Sequence, residues 1–192
     1  MVTFNKTEYA RLKNLYGKCS SWAVWNPEQQ ADASIIKDYL DKLHTRYVFC
    51  GLNISKPLSG VSWQNFHGGK HDRKLMQACN ITELRGSYLT DIFKYVPTGT
   101  AKELRKHLKK KENNHLIAEN VEDFIEEMAN LKANSGTTFI LLGNDVERYF
   151  NAHFKSKMKY HDVIKYRHYA SRGTDEAWVA GLLEILGIKE PK

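Results

Sequence analysis

Two stretches of the chain are apolar without interruption: Tyr47-Val48-Phe49-Cys50 and Phe139-Ile140-Leu141-Leu142. A strand with one face in water alternates apolar and polar residues, so an unbroken apolar run points to a strand covered on both faces. Such strands belong to parallel sheets flanked by helices. Two further runs, 88–93 and 163–166, have strand character. Strands are therefore expected at 47–52, 88–93, 138–142 and 163–166.

Helical spacing fills the intervals. Ala31, Ile35, Tyr39 and Leu43 share one face of a helix expected over 27–43, and Val121, Ile125, Met128 and Leu131 share one face over 118–131. Further helices are expected over 145–154 and 174–186, the last stopped by Gly187. Strands alternating with helices imply right-handed crossovers. The fold class is thus α/β: a three-layer α/β/α sandwich with a central, mainly four-stranded parallel sheet. The 192 residues suit one domain, 1–192, with 1–45 expected as an N-terminal helical extension packed on it.

Composition narrows the function classes. No apolar run reaches membrane-spanning length, and Met1-Val2-Thr3-Phe4-Asn5-Lys6 carries no signal segment, so a cytoplasmic protein with no membrane association is expected. Cys19, Cys50 and Cys79 are far apart and form no CxxC pair, which excludes a zinc knuckle or a four-thiolate cluster within the chain. A net charge of +7 favours phosphate-rich partners. No Gly-x-x-x-x-Gly-Lys loop is present, which argues against phosphoryl transfer.

Ligands of parallel sheets bind beyond the carboxyl ends of the strands. Three polar residues stand there, Asn53, Asp91 and His168, each on a different strand end. Singly, each has a plainer role: an Asn caps a turn, an Asp caps a helix, and a loop His is exposed to water. His67 and His71 are four apart with Asp72 beside them, but Gly68-Gly69 interrupts any helix that would aim both imidazoles at one ion. No metal and no cofactor is expected.

These residues carry a resemblance. Gly51-Leu52-Asn53 resembles the first motif, Gly-x-Asn-Pro-Gly, of the mismatch-specific and single-strand-selective enzymes of the uracil-DNA glycosylase superfamily. Phe66 stands thirteen residues after Asn53, where an aromatic stacks on the extruded base in several branches. The run 88–94 resembles the second strand of those enzymes, with Asp91 where an Asn usually reads the base edge. The run 139–144 resembles the third strand and its turn, ending in Asn144. His168 opens a segment similar to the His-Pro-Ser-x-Leu/Arg loop, and Arg172 falls at the residue that wedges into the duplex. The resemblance covers about residues 45 to 187.

It implies a monofunctional DNA glycosylase that hydrolyses the N-glycosidic bond of a flipped damaged or deaminated base. Asn53 and His168 would be the catalytic pair: Asn53 orients a water, and His168 donates to the base oxygen on which charge develops. Gly51, Leu52, Phe66, Asp91 and Asn144 would bind the base. Ser55, Ser171, Arg172, Lys165 and Arg167 would contact DNA, single- or double-stranded, and the protein would act as a monomer. No lysine is marked as a Schiff-base nucleophile, so lyase activity is not expected. Phe66 is equally readable as a core aromatic, and Arg172 as a solvated loop charge. The basic run Lys102, Arg105, Lys106, Lys109, Lys110 and Lys111 reads as a phosphate-holding face or a solvated one. Lys155, Lys157 and Lys159 lead toward the His168 loop and are better placed for DNA.

The sequence departs from the family pattern at Ile54-Ser55, which replaces Pro-Gly, at Tyr169-Ala170, which replaces Pro-Ser, and at Asp91. An ionised Asp only accepts hydrogen bonds, whereas Asn also donates, so the preferred base is expected to differ from plain uracil; an Asp91 protonated by burial would instead recover a donor. The alternatives are a weakly active or inactive member that binds nucleic acid or protein, and a hydrolase of free nucleosides or nucleotides.

Overall fold

The computed structural model describes residues 4–55, 60–69, 71–80, 82–158 and 162–189. Five strands, β1 (Ser20–Trp22), β2 (His44–Asn53), β3 (Ser87–Phe93), β4 (Thr138–Leu142) and β5 (Asp162–Tyr166), form one sheet in the order β1-β3-β2-β4-β5. The four expected strands are all present and mutually parallel. The fifth, β1, pairs antiparallel with β3, Ser20 opposite Thr90 and Trp22 opposite Tyr88. The segment 1–45 is therefore not a purely helical addition, because part of it completes the sheet. Its one described α-helix is α1 (Lys6–Tyr16), opened by a capping box between Asn5 and Glu8.

Alternation along the strands sorts the core into two layers. Val48, Cys50, Tyr88, Ile92, Phe139 and Leu141 belong to one apolar cluster, whose other members include Leu12 of α1, Leu104 of α3 (Ala101–Leu108) and Phe124 of α4 (Asn114–Asn130). Phe49, Leu89, Ile140 and Leu142 belong to the other, with Leu75 of α2 (Arg73–Asn80) and Trp178 and Leu182 of α6 (Asp175–Leu186). Each such buried side chain contributes about 1.5–3 kcal/mol. Helices thus cover both sheet faces, and the architecture is the α/β/α sandwich.

Several element ends differ from expectation. The helix expected over 27–43 is a short 3-10 helix, Ala33–Tyr39; the Asp32 side chain accepts the Ser34 N–H and starts the turn well after Pro27. The helix expected from 118 begins four residues earlier, at Asn114. Helix α5 (Asn144–Tyr149) runs into a π-helical turn, Phe150–Phe154, that seats both Phe rings in the core. Helix α6 starts on Thr174, whose hydroxyl accepts the Ala177 N–H, and ends on Gly187 in the left-handed conformation.

A buried ion pair lies under β3. Lys94 Nζ donates to Glu127 Oε2 at 2.6 Å and to the Asp91 carbonyl at 3.0 Å. Ser20, Tyr88 and Thr90 hydroxyls all donate to Glu127 Oε1. With this many partners the two charges are tolerated inside, and the network ties β1, β3 and α4 together below the strand ends.

Candidate active site

Beyond the carboxyl ends of β2, β3 and β4 lies a cavity of about 770 Å³. Asn53, Phe66, Asp91 and His168 all line it, as do Gly51, Leu52, Ser55 and Asn144. Residues far apart in the chain are brought to one place because parallel strands end at the same edge.

Asn53 is the last residue of β2. Its Nδ2 sits 3.0–3.1 Å from the carbonyls of Ile54, Val96 and Thr98 and from Thr98 Oγ1. These acceptors fix the amide, so Oδ1 is the atom with which Asn53 can address a ligand or a water. Residues 98–101, between β3 and α3, also line the cavity, and Asn53 anchors that loop.

Asp91 is beside Gly51 in the β2–β3 register. A Cβ on Gly51 would collide with Asp91 Oδ1 and press on Phe66 Cζ, so glycine is required for the carboxylate and the ring to close over the strand end. Asp91 Oδ2 accepts from Asn65 Nδ2 at 2.9 Å, and the same Nδ2 donates to the Cys19 carbonyl at 2.9 Å. Burial pushes the Asp91 carboxyl up to about 6, opposed by the Asn65 hydrogen bond and the Lys94 charge.

Phe66 has a positive φ of 65°, a region costly for a residue with a side chain. The Trp25 indole N–H donates to the Phe66 carbonyl at 3.2 Å and holds the backbone there. Strain of this kind concentrates at binding sites. The Phe66 ring meets Tyr169 edge-on at 6.3 Å, and Tyr169 stacks on His168 at 4.2 Å. The three rings form a continuous wall.

His168 carries the clearest chemistry. The Ala170 N–H donates to His168 Nδ1 at 3.0 Å. Nδ1 is therefore an acceptor, and the proton of the neutral ring sits on Nε2. Burial, then the His71 charge, holds the imidazole below its ordinary range. The result is a neutral N–H donor. Its loop is tied to α2 by Lys74, a buried lysine whose Nζ donates to the carbonyls of Ser171 at 2.8 Å and Gly173 at 3.2 Å.

A second carboxylate, Asp72, accepts from the Gly69 N–H at 2.6 Å, and burial pushes it up to about 6. His67 stacks on Trp25 and contacts the Trp22 carbonyl through Nε2, and burial holds it down to about 4. Among the described residues no group of three or more His, Cys, Asp or Glu is placed to hold a metal ion.

The residues expected to touch DNA fare differently. Ser55 lines the cavity and Arg172 is exposed. Arg167 donates to the Ala177 carbonyl, Lys165 pairs with Glu147 at 3.7 Å, and the Ser171 hydroxyl is buried. Lys165 and Arg167 remain exposed while holding these partners, and only the Ser171 hydroxyl is turned inward. Of the basic run, Lys102, Lys106, Lys109, Lys110 and Lys111 are exposed, while Arg105 forks onto Asp145 at 2.8 and 2.9 Å. Lys159 lies outside the described residues. Sequence reasoning missed Asn65 and Lys74 and read Tyr169 only as a replacement. The signal for Asn65 was its place directly before Phe66 in a glycine-bounded loop.

Among the described residues no helix is long and apolar enough to cross a membrane. Compared with protein-family models the chain matches none, and it matches no curated protein.

Proposed function

We propose that the chain is a monofunctional DNA glycosylase, a relative of the uracil-DNA glycosylase superfamily, that hydrolyses the N-glycosidic bond of a flipped damaged or deaminated base. One observation carries the reading: Asn53, Phe66 and His168 line a single cavity of about 770 Å³ at the strand ends. That volume lies in the range of small-molecule sites and leaves room for a base, its sugar and a water.

Phe66 stacks on the base, a contact worth about 1–3 kcal/mol. As the bond from the sugar C1′ to the base nitrogen breaks, its electron pair moves onto the base. The His168 Nε2–H donates to the base oxygen or nitrogen that receives this charge. Water held by Asn53 Oδ1 bonds to C1′, and its proton ends on the departing base. An amide orients water without deprotonating it, so turnover is slow and depends on the leaving group. The reaction uses no cofactor.

A second reading, hydrolysis of a free nucleoside or nucleotide, is favoured by the burial of the Ser171 hydroxyl, which is not offered to a phosphate backbone. Base release from a panel of oligonucleotides and nucleosides carrying uracil, hypoxanthine, xanthine and alkylated bases separates the two. Asn53→Ala and His168→Ala are expected to abolish release while retaining binding. Release from none of the panel, or release indifferent to both substitutions, overturns the hydrolase reading.

A further inference from the structure

The polar groups that line the cavity include both acceptors and a fixed donor. At the β2–β3 end stands Asp91. A carboxylate has about four lone-pair sites, and the Asn65 hydrogen bond occupies one of them on Oδ2. Asn65 spends its Nδ2 on Asp91 and on the Cys19 carbonyl, so it too turns an acceptor, Oδ1, to any further partner. Asn53 does the same, its Nδ2 being held by the Ile54, Val96 and Thr98 carbonyls. A donor in the same cavity is the Nε2–H of His168, fixed by the Ala170 N–H on Nδ1.

We propose that this cavity selects a nucleobase bearing an exocyclic amino group, with Asp91 as the specificity-determining residue that accepts the amino hydrogen. The assignment rests on the glycosylase reading for its substrate class and extends it to the edge of the base. A buried acceptor facing a keto oxygen leaves two acceptors opposed and both desolvated, whereas an amino group satisfies it. Normal cytosine and adenine carry the same group. Selection of the damaged base then comes from ease of extrusion and weakness of the glycosidic bond, both of which ring alkylation or mispairing increases. This matches a catalytic pair that contains no strong base.

The geometry also says what Asp91→Asn does. Asn65 Nδ2 donates toward the Oδ2 position, so the introduced amide places its oxygen there. Its NH2 then points where Oδ1 now lies, over Gly51 and the Phe66 ring. One substitution turns an acceptor into a donor without changing shape.

The experiment is equilibrium binding of free bases to the full chain at pH 8, followed by NMR titration, in two pairs: cytosine against uracil and adenine against hypoxanthine. The wild-type protein is expected to bind the amino member of each pair roughly ten- to a hundred-fold more tightly. Asp91→Asn is expected to reverse the order. Wild-type preference for the keto members, failure to bind any of the four, or an unchanged ratio in a folded Asp91→Asn protein overturns the assignment; if that variant does not fold, the wild-type ratios decide alone. If the bases bind in the expected order yet no amino-bearing lesion is released from oligonucleotides, the hydrolase reading fails while the specificity assignment stands.

Discussion

The carboxylate of Asp91 occupies the space that a Cβ on Gly51 would need. The two residues are register partners on β2 and β3, and the side chain of one lies over the backbone of the other. Gly51→Ala is therefore expected to displace Asp91 and press on Phe66, costing about 1–3 kcal/mol of stability. Chemical denaturation reads the loss, and base binding should weaken with it. A fully stable Gly51→Ala protein that still binds bases would mean that the carboxylate moves freely.

Asp91 also carries a pH signature. Its folded carboxyl titrates at about 6, above the ordinary 3.8, so the folded state holds the proton more tightly than the unfolded chain. Stability then falls as pH rises from about 4 to 6, and the penalty is complete above the folded value. Asp91→Asn removes it. The variant is expected to be more stable than wild type at pH 8 by about 1–3 kcal/mol, with the difference vanishing near pH 4. Urea unfolding at the two pH values checks this, and a variant less stable at pH 8 refutes it.

Lys74 spends its ammonium on the carbonyls of Ser171 and Gly173 and so holds the turn that presents His168. Lys74→Met keeps the buried stem and loses the tether. Faster amide exchange is expected at Ser171, whose N–H donates to the His168 carbonyl at 2.8 Å. Turnover should drop more than base binding does. Unchanged exchange across 168–173 would show the loop to be fixed by other contacts.

Asn53→Asp tests which end of the amide matters. A carboxylate is the stronger base, but it would face the carbonyls of Ile54, Val96 and Thr98 with no hydrogen to give. The expected result is a loss of about 1–3 kcal/mol in stability and slower base release. Faster release by this variant would mean that anchoring of the 98–101 loop is dispensable.

Much of this was legible in the sequence because sheet burial writes itself into composition. The runs 47–50 and 139–142 read as strands covered on both faces, and parallel strands bring their ends together. Strand β1 was not legible: Ser20-Ser21-Trp22 is too short to show a period, and its pairing depends on β3. The site divided along the same line. Asn53, Asp91 and His168 stood at strand ends and were found. Asn65 and Lys74 act through hydrogen bonds to residues 26 and 97 positions away, which no local pattern encodes. The surface partners of the exposed Arg167 and Lys165, the Ala177 carbonyl and Glu147, come from neighbouring helices and could not be read from their own segment.

Two of the residues lining the cavity are mounted on different supports. The acceptor, Asp91, belongs to a strand buried along its whole length, while the donor, His168, opens a turn that Lys74 ties to α2 and that the Ser171 N–H closes onto the His168 carbonyl. On the proposed function, recognition rests on the strand and reactivity on the turn. Grafting a different segment over 168–173 should retune how fast a base leaves without altering which base is admitted, so the scaffold offers two dials that an engineer can turn separately.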